Sequence, residues 1–189
     1  MRILSTFLLL CCTLSLSAQR IEQTLTQGWT FHRGDAAGAE AADYDDSQWQ
    51  RVSIPHDWAI FGPFSRDNDL QVVAVTQNGE TEATEHTGRT GGLPYVGVGW
   101  YRRDFTVDAA TPGSTRRTIL VFDGAMSQAH VFVNGREVIF WPYGYNSFYC
   151  DVSDALRTDS PHNTLAVRLE NVEQSSRWYC GAGLYRNVH

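Results

Sequence analysis

Side chains able to act as acids, bases, nucleophiles or ligands are plentiful in this sequence, but few stand at spacings that known chemistry requires. His56 and Asp57 are adjacent, and neighbours on an extended segment point to opposite faces, so they do not make a His–Asp catalytic pair with each other; a structural role is the expectation. No Gly-x-Ser-x-Gly elbow occurs, which leaves an ordinary serine hydrolase unsupported. Gly97-Val98-Gly99 opens like a dinucleotide fingerprint, but Arg102 stands at the third glycine position, and Gly181-Ala182-Gly183 fails the same way at Arg186. Asp43, Asp45 and Asp46, or Asp67, Asn68 and Asp69, suggest calcium only until the rest of an EF-hand loop is checked. The required Gly and Glu are Gln48 and Ile54 in the first case and Val72 and Asn78 in the second, so both read as solvated turns. The six His are scattered, and Cys150 and Cys180 have no ligand spacing around them. Two carboxyl groups facing one substrate would cleave a glycosidic bond, yet the sequence holds 21 Asp and Glu and spacing alone selects no two of them.

The elements that would position any of these groups are mainly β. Residues 27–31 read as a short strand entered through a turn, residues 43–47 as turn material, and residues 52–55 as extended, because Pro55 biases Ile54 away from helix. Residues 62–99 are the least regular stretch, with Gly88, Gly91, Gly92, Gly97 and Gly99 crowding its end; a connection that long is usually functional or mobile. Residues 100–107 are aromatic and β-branched. Residues 118–122 form a continuous apolar run, suited to a buried strand. Residues 129–133 and 136–140 flank Asn134-Gly135, and a type I′ hairpin turn needs φ > 0 at both central positions. Residues 164–169 are a further strand, and residues 152–157 make at most one helical turn. Several short strands with turn signals between them predict an all-β sandwich.

Composition sets outer limits. Of 189 residues, 42% are hydrophobic and 19% charged, which is globular. The net charge is −6, and all fifteen basic residues are Arg; no basic patch marks a nucleic-acid partner. The 12% of aromatic residues suit strands, or a surface that stacks on sugars. Arg2, the apolar run 3–16 and the small pair Ser17-Ala18 read as a secretory signal peptide over residues 1–18, with cleavage near Ala18–Gln19 and residues 19–189 as the mature domain. That predicts a secreted or periplasmic protein with no membrane span, since the run is too short to cross a bilayer comfortably. Cys11 and Cys12 leave a surface lipoprotein open, although Leu8-Leu9-Leu10 are not the small residues a lipobox prefers. Export permits, without requiring, a disulfide between Cys150 and Cys180.

Four stretches, in this order and spacing, resemble the N-terminal sugar-binding domain of family 2 glycoside hydrolases. They are residues 44–58, ending in Pro55-His56-Asp57-Trp58; residues 97–105, with Gly99-Trp100-Tyr101-Arg102; Phe122-Asp123-Gly124 followed by His130-Val131-Phe132-Val133-Asn134-Gly135; and residues 175–188, with Arg177-Trp178 ahead of Gly183-Leu184-Tyr185-Arg186. The resemblance implies a jelly-roll-like β-sandwich (galactose-binding-domain-like), followed in full-length members by an immunoglobulin-like domain and a (β/α)₈ barrel. The two catalytic Glu of the retaining reaction belong to that barrel, so no catalytic residue and no metal site are expected in this chain.

Pro-His-Asp-Trp with Gly62-Pro63-Phe64-Ser65 looks most like the β-galactosidase branch; a β-glucuronidase, a β-mannosidase or a free-standing carbohydrate-binding module is the alternative. The implied partners are a β-galactoside or oligosaccharide substrate and, at full length, further copies of the chain in a homo-oligomer. A Mg or Na ion would belong to the full-length enzyme. In some relatives an Asn shortly before the Gly-Trp-Tyr motif reaches the galactose; this chain has Tyr95 and Val96 there. A second contributor lies just before the Gly-Leu-Tyr-Arg ending, where this chain has Arg177 beside Trp178. An Arg offers forked donors to sugar hydroxyls or to a carboxylate. The alternative is a structural Arg, stacked on Trp178 or paired at a domain interface.

Overall fold

Alternation of inward and outward side chains governs where the strands form. The computed structural model of the chain describes residues 20–65, 68, 95–107, 116–173, 175 and 181–189. Its strands are β1 (Trp29–Arg33), β2 (Gln50–Val52), β3 (Gly97–Thr106), β4 (Ile119–Phe122), β5 (Ala129–Val133), β6 (Arg136–Trp141), β7 (Phe148–Asp151) and β8 (His162–Asn171). Single 3₁₀ turns at Ala59–Phe61 and Ser153–Ala155 are the helical elements among the described residues. One sheet runs β2-β1-β3-β8-β5-β6, the other pairs β4 with β7, and the pairings are antiparallel. The all-β, jelly-roll-like sandwich expected from the sequence is what the chain forms.

The ten-residue pairing of β3 with β8 is the spine of the large sheet. Tyr101 and Phe105 on β3, Leu165, Val167 and Leu169 on β8, and Val131 and Val133 on β5 point into the core. There they meet Leu120 and Phe122 of β4 and Phe148 and Cys150 of β7. Phe122 and Phe148 stack with centroids 4.7 Å apart. The β4–β7 layer is widened by chain that is not in named strands. Val121 and His189 exchange backbone hydrogen bonds of 2.9 Å, Asp123 N–H donates to the Asn187 carbonyl (3.0 Å), and Leu25 N–H donates to the Val188 carbonyl (2.8 Å).

The hairpin at Asn134-Gly135 forms as its sequence requires, with φ of 52° and 84°. Asn134 does more than turn the chain: its amide donates to the Ala155 carbonyl (2.8 Å) and to Asn163 Oδ1 (2.9 Å), and its oxygen accepts from Thr164 N–H (3.0 Å). On the outer face of the large sheet, Arg102 is 3% exposed. It donates to Asp46 and to the carbonyls of Ala39 and Ala41, and it lies over the Tyr44 ring. The Asp46 of the supposed acidic turn is therefore an ion-pair partner of a buried Arg. Such a pair is costly to break, because the remaining charge would stay buried alone.

Some expectations need correction. The run at 118–122 is not buried on both faces: Ile119 is 41% exposed and β4 alternates, because the small sheet has solvent on its outer side. The strand expected at 100–107 begins at Gly97, since Gly97 and Gly99 still pair with β8. β7 was not anticipated. The signal-peptide residues, most of 66–94 and Cys180 lie outside the described residues. Cys150 is a buried free thiol, and burial, helped by Asp151, pushes its pKa up to about 11.

At Gly183 the backbone has φ of 108°, and a Cβ there would collide with the Tyr101 hydroxyl and stand 2.5 Å from the His56 carbonyl oxygen. Gly183→Ala is expected to cost about 3 kcal/mol, combining a strained φ with overpacking. Gly38 (φ 82°) has nothing within 4 Å of such a Cβ, and Gly38→Ala should cost only about 1 kcal/mol. Urea unfolding of both variants measures the difference.

Candidate functional site

One end of the sandwich gathers the segments that the sequence marks. β1 ends there at Arg33, β3 begins at Gly97 and β8 ends at Asn171; Arg33 pairs with Gly99, and Gly97 with Asn171. The Trp58 ring covers this corner. A Cβ on Gly99 would lie 2.8 Å from the Trp58 ring and 3.0 Å from the Phe31 ring, so only glycine lets the indole lie against the sheet. Trp58 is buried, and its indole N–H has no acceptor among the described residues. Buried donors are rarely left unpaired, so this one marks the corner for attention.

The Pro-His-Asp-Trp segment is held by hydrogen bonds that leave neither His56 nor Asp57 free for catalysis with the other. His56 Nδ1 is 2.7 Å from the Tyr101 hydroxyl. Asp57 Oδ1 accepts from Ala59 N–H (2.9 Å) at the start of the turn and from Ala182 N–H (3.0 Å), tying in the chain that follows residue 180. His56 N–H donates to the Leu184 carbonyl and Trp58 N–H to the Ala182 carbonyl. The structural role expected for His56 and Asp57 is thus what the geometry shows. Burial pushes the His56 pKa down, partly opposed by Asp57, and burial holds the Tyr101 hydroxyl well above the ordinary range.

Tyr95 sits at this end, half-buried and packed against the core. The Arg33 guanidinium lies over its ring at 5.6 Å, and its hydroxyl folds back towards Gly97, 2.9 Å from where a Cβ would be. Arg177 and Trp178 lie outside the described residues. The chain on either side of them is placed: Ser175 Oγ donates to the Val172 carbonyl just past β8, and Gly181 lies against Asp57. Tyr95 and the described residues that flank Arg177 and Trp178, Ser175 and Gly181, therefore lie near the same corner.

Ile60 and Phe61, which no motif of the sequence marked, and Phe64, which the sequence marked only as part of Gly62-Pro63-Phe64-Ser65, are 52%, 68% and 61% exposed beside that corner. Phe61 stacks on His56 with ring planes inclined by 24°. Their signal was available as an apolar stretch, Trp58-Ala59-Ile60-Phe61, that lacks strand alternation and stops at Gly62-Pro63. Among the described residues, no group of three or more His, Cys, Asp and Glu could hold a metal ion, and no helix is long and apolar enough to cross a membrane.

Comparison with known proteins bears on the same residues. A sequence model described as glycosyl hydrolases family 2, sugar binding domain, matches residues 25–189. The chain is 40% identical over 179 residues to β-galactosidase BoGH2A of Bacteroides ovatus, covering 94% of the chain and 19% of that protein. It is 28% identical over 196 residues to a β-glucuronidase of Bacteroides fragilis, covering 98% of the chain and 23% of that protein. The crystal structure of a glycosyl hydrolase family 2 member from Bacteroides cellulosilyticus superposes with a TM-score of 0.71 at 35% identity, over 88% of this chain and 20% of that one. The chain spans about a fifth of the length of these relatives.

The lowered His56 pKa has a consequence for stability. A His that is harder to protonate when folded binds fewer protons in the native state. Its contribution is complete above the unfolded value of 6.5 and is lost as pH falls through 6.5 towards the lower folded value. Denaturation at pH 7.5 and pH 5.5 should show the wild type losing more stability on acidification than His56→Gln. Equal losses would mean that His56 is not the titrating group.

Proposed function

The chain belongs to family 2 of the glycosyl hydrolases, as their sugar-binding domain, and on that premise we propose that it serves a β-galactosidase that hydrolyses terminal β-galactosides. The observation that carries this reading is the 40% identity to the β-galactosidase over 94% of the chain, against 34% to a putative β-glucuronidase of Formosa agariphila over 90% and 28% to that of Bacteroides fragilis. In a retaining mechanism two carboxyl groups about 5–5.5 Å apart act as nucleophile and as acid/base. We place that Glu pair in the part of the longer relatives that this chain does not span.

The role of this chain's residues is then to bind and orient. The Trp58 corner gives a rigid base, and Tyr95 is held there under Arg33. Arg177 would donate forked hydrogen bonds to sugar hydroxyls, and Trp178 would cover an apolar sugar face. A β-glucuronidase is the second reading, favoured by the relatives of that name; there Arg177 would pair with the uronate carboxylate. Export through the segment at residues 1–18, assembly as a homo-oligomer and a Mg or Na ion are proposed for the full-length enzyme.

Purified chain should not turn over nitrophenyl β-galactoside. A longer protein that continues this chain should do so, and should prefer the galactoside to the glucuronide. In that longer protein, Arg177→Ala should lower kcat/KM by about tenfold or more, the loss of roughly one good polar contact in the transition state. Turnover by the 189-residue chain itself would contradict the placement of the Glu pair. Preference for the glucuronide would move the reading to the second one.

A further inference from the structure

The turn between β6 and β7 shows two tyrosines to solvent while the rest of it is fixed. Tyr143 and Tyr145 are 57% and 54% exposed, with centroids 5.6 Å apart and planes inclined by 58°. Gly144 between them is buried. Its carbonyl accepts the Tyr185 hydroxyl at 2.6 Å, and the Met126 side chain lies so close that no Cβ would fit. Trp141 Nε1 donates to Asn146 Oδ1 (3.0 Å), and Gln128 N–H donates to the Pro142 carbonyl (3.2 Å). The turn is thus pinned at three residues, Pro142, Gly144 and Asn146, beside its exposed rings. A surface already fixed in this way loses little conformational entropy when something binds, and tyrosine adds contact area with few rotatable bonds.

Beside the rings lies a concavity of about 350 Å³ lined by Pro55, Asp123, Ser147, Tyr185, Arg186 and Asn187, within the size range of small-ligand sites. Ser147 follows the same turn, and Tyr185 is the residue that holds Gly144, so the concavity adjoins the turn that carries the rings. Four of the six lining residues are polar. Arg186 donates, Asp123 accepts, and Ser147 and Asn187 can do both. The Arg186 guanidinium lies 5.5 Å from the Tyr185 ring centroid.

We propose that this turn and concavity form a second saccharide-binding site, built from residues other than Tyr95, Arg177 and Trp178. The proposal rests on the reading that the chain serves a glycosidase. A pyranose has an apolar C–H face and a rim of hydroxyls, each both donor and acceptor. Exposed tyrosine rings suit the face, and a mixed set of donors and acceptors suits the rim. A protein-docking surface would instead centre on apolar groups and be poor in charge. Here the apolar lining is Pro55 and the Tyr185 ring, with Asp123 and Arg186 beside them.

The test is a calorimetric titration of the 189-residue chain with lactose and with β-1,4-linked galactobiose. It compares the wild type with Tyr143→Ala/Tyr145→Ala, Tyr143→Phe/Tyr145→Phe and Arg177→Ala/Trp178→Ala. Both tyrosines are exposed, so thermal unfolding of the variants checks that the fold survives. Made in the Arg177→Ala/Trp178→Ala background, which removes the first candidate site, the Ala pair should weaken the remaining binding about tenfold or more, while the Phe pair, which keeps the rings, should not. Undiminished binding by the Ala pair overturns the second site and leaves the glycosidase reading intact. Absence of binding by the wild type also overturns it, whereas turnover of galactoside by the longer protein judges the other reading separately. Protection of Tyr143 and Tyr145 from iodination in the longer protein but not in this chain would assign the surface to domain docking and overturn the proposal.

Discussion

At Gly183 three separate stretches of chain meet within hydrogen-bonding distance, with no room for a side chain between them. Gly183 and Met126 exchange backbone bonds of 3.0 Å, and its neighbours Ala182 and Leu184 accept from Trp58 and His56. The Tyr101 hydroxyl and the His56 carbonyl occupy the space a Cβ would need. A short buried segment with an unmatched backbone would be costly, since each unpaired buried peptide group forfeits a hydrogen bond. Here the segment satisfies its groups on both sides and in doing so joins the two layers of the sandwich.

That junction also sets the geometry of the proposed sugar end. Asp57 reaches across to Ala182, so the turn carrying Trp58 and Phe61 cannot move independently of the chain that follows residue 180. Trp58 can lie against the large sheet because Gly99 leaves it space. The result is a stiff floor made by Phe31, Trp58, Tyr101 and Gly183. Loops on a rigid scaffold are where binding residues concentrate. The tyrosine turn after β6 follows the same logic at another place: Tyr185, two residues beyond Gly183, holds Gly144 from below.

The strands that face the core could be read from the sequence because local pattern and tertiary role agree in them. Asn134-Gly135 is the plainest case, since its turn chemistry is local. β7 was missed because Phe148-Tyr149-Cys150-Asp151 has only four residues to show an alternation, and Cys and Asp dilute it. The half-exposed β4 was misjudged because an apolar run carries no information about how wide the opposing sheet is. Arg102 looked like one more charged residue on a strand; its burial depends on the loop around Ala39 to Tyr44 folding back over it, which no local spacing reveals. Candidate site residues were reachable only through the family resemblance. Tyr95, Arg177 and Trp178 have no spacing of their own that distinguishes them from packing residues, and the exposed Phe61 and Phe64 look like core in a one-dimensional reading.

The central claim is that this domain meets sugar through the end of the sandwich built on Trp58 and through the tyrosine turn, on a scaffold locked at Gly183. Backbone amide chemical-shift mapping of the chain with millimolar lactose tests it most directly. The account predicts shifts concentrated at residues 58–64, 95–97 and 172–183, and at 142–147 with 185–187, while the outer sheet face around Trp100 and Phe132 stays unchanged. Shifts confined to that outer face, or none at any lactose concentration reached, would contradict it.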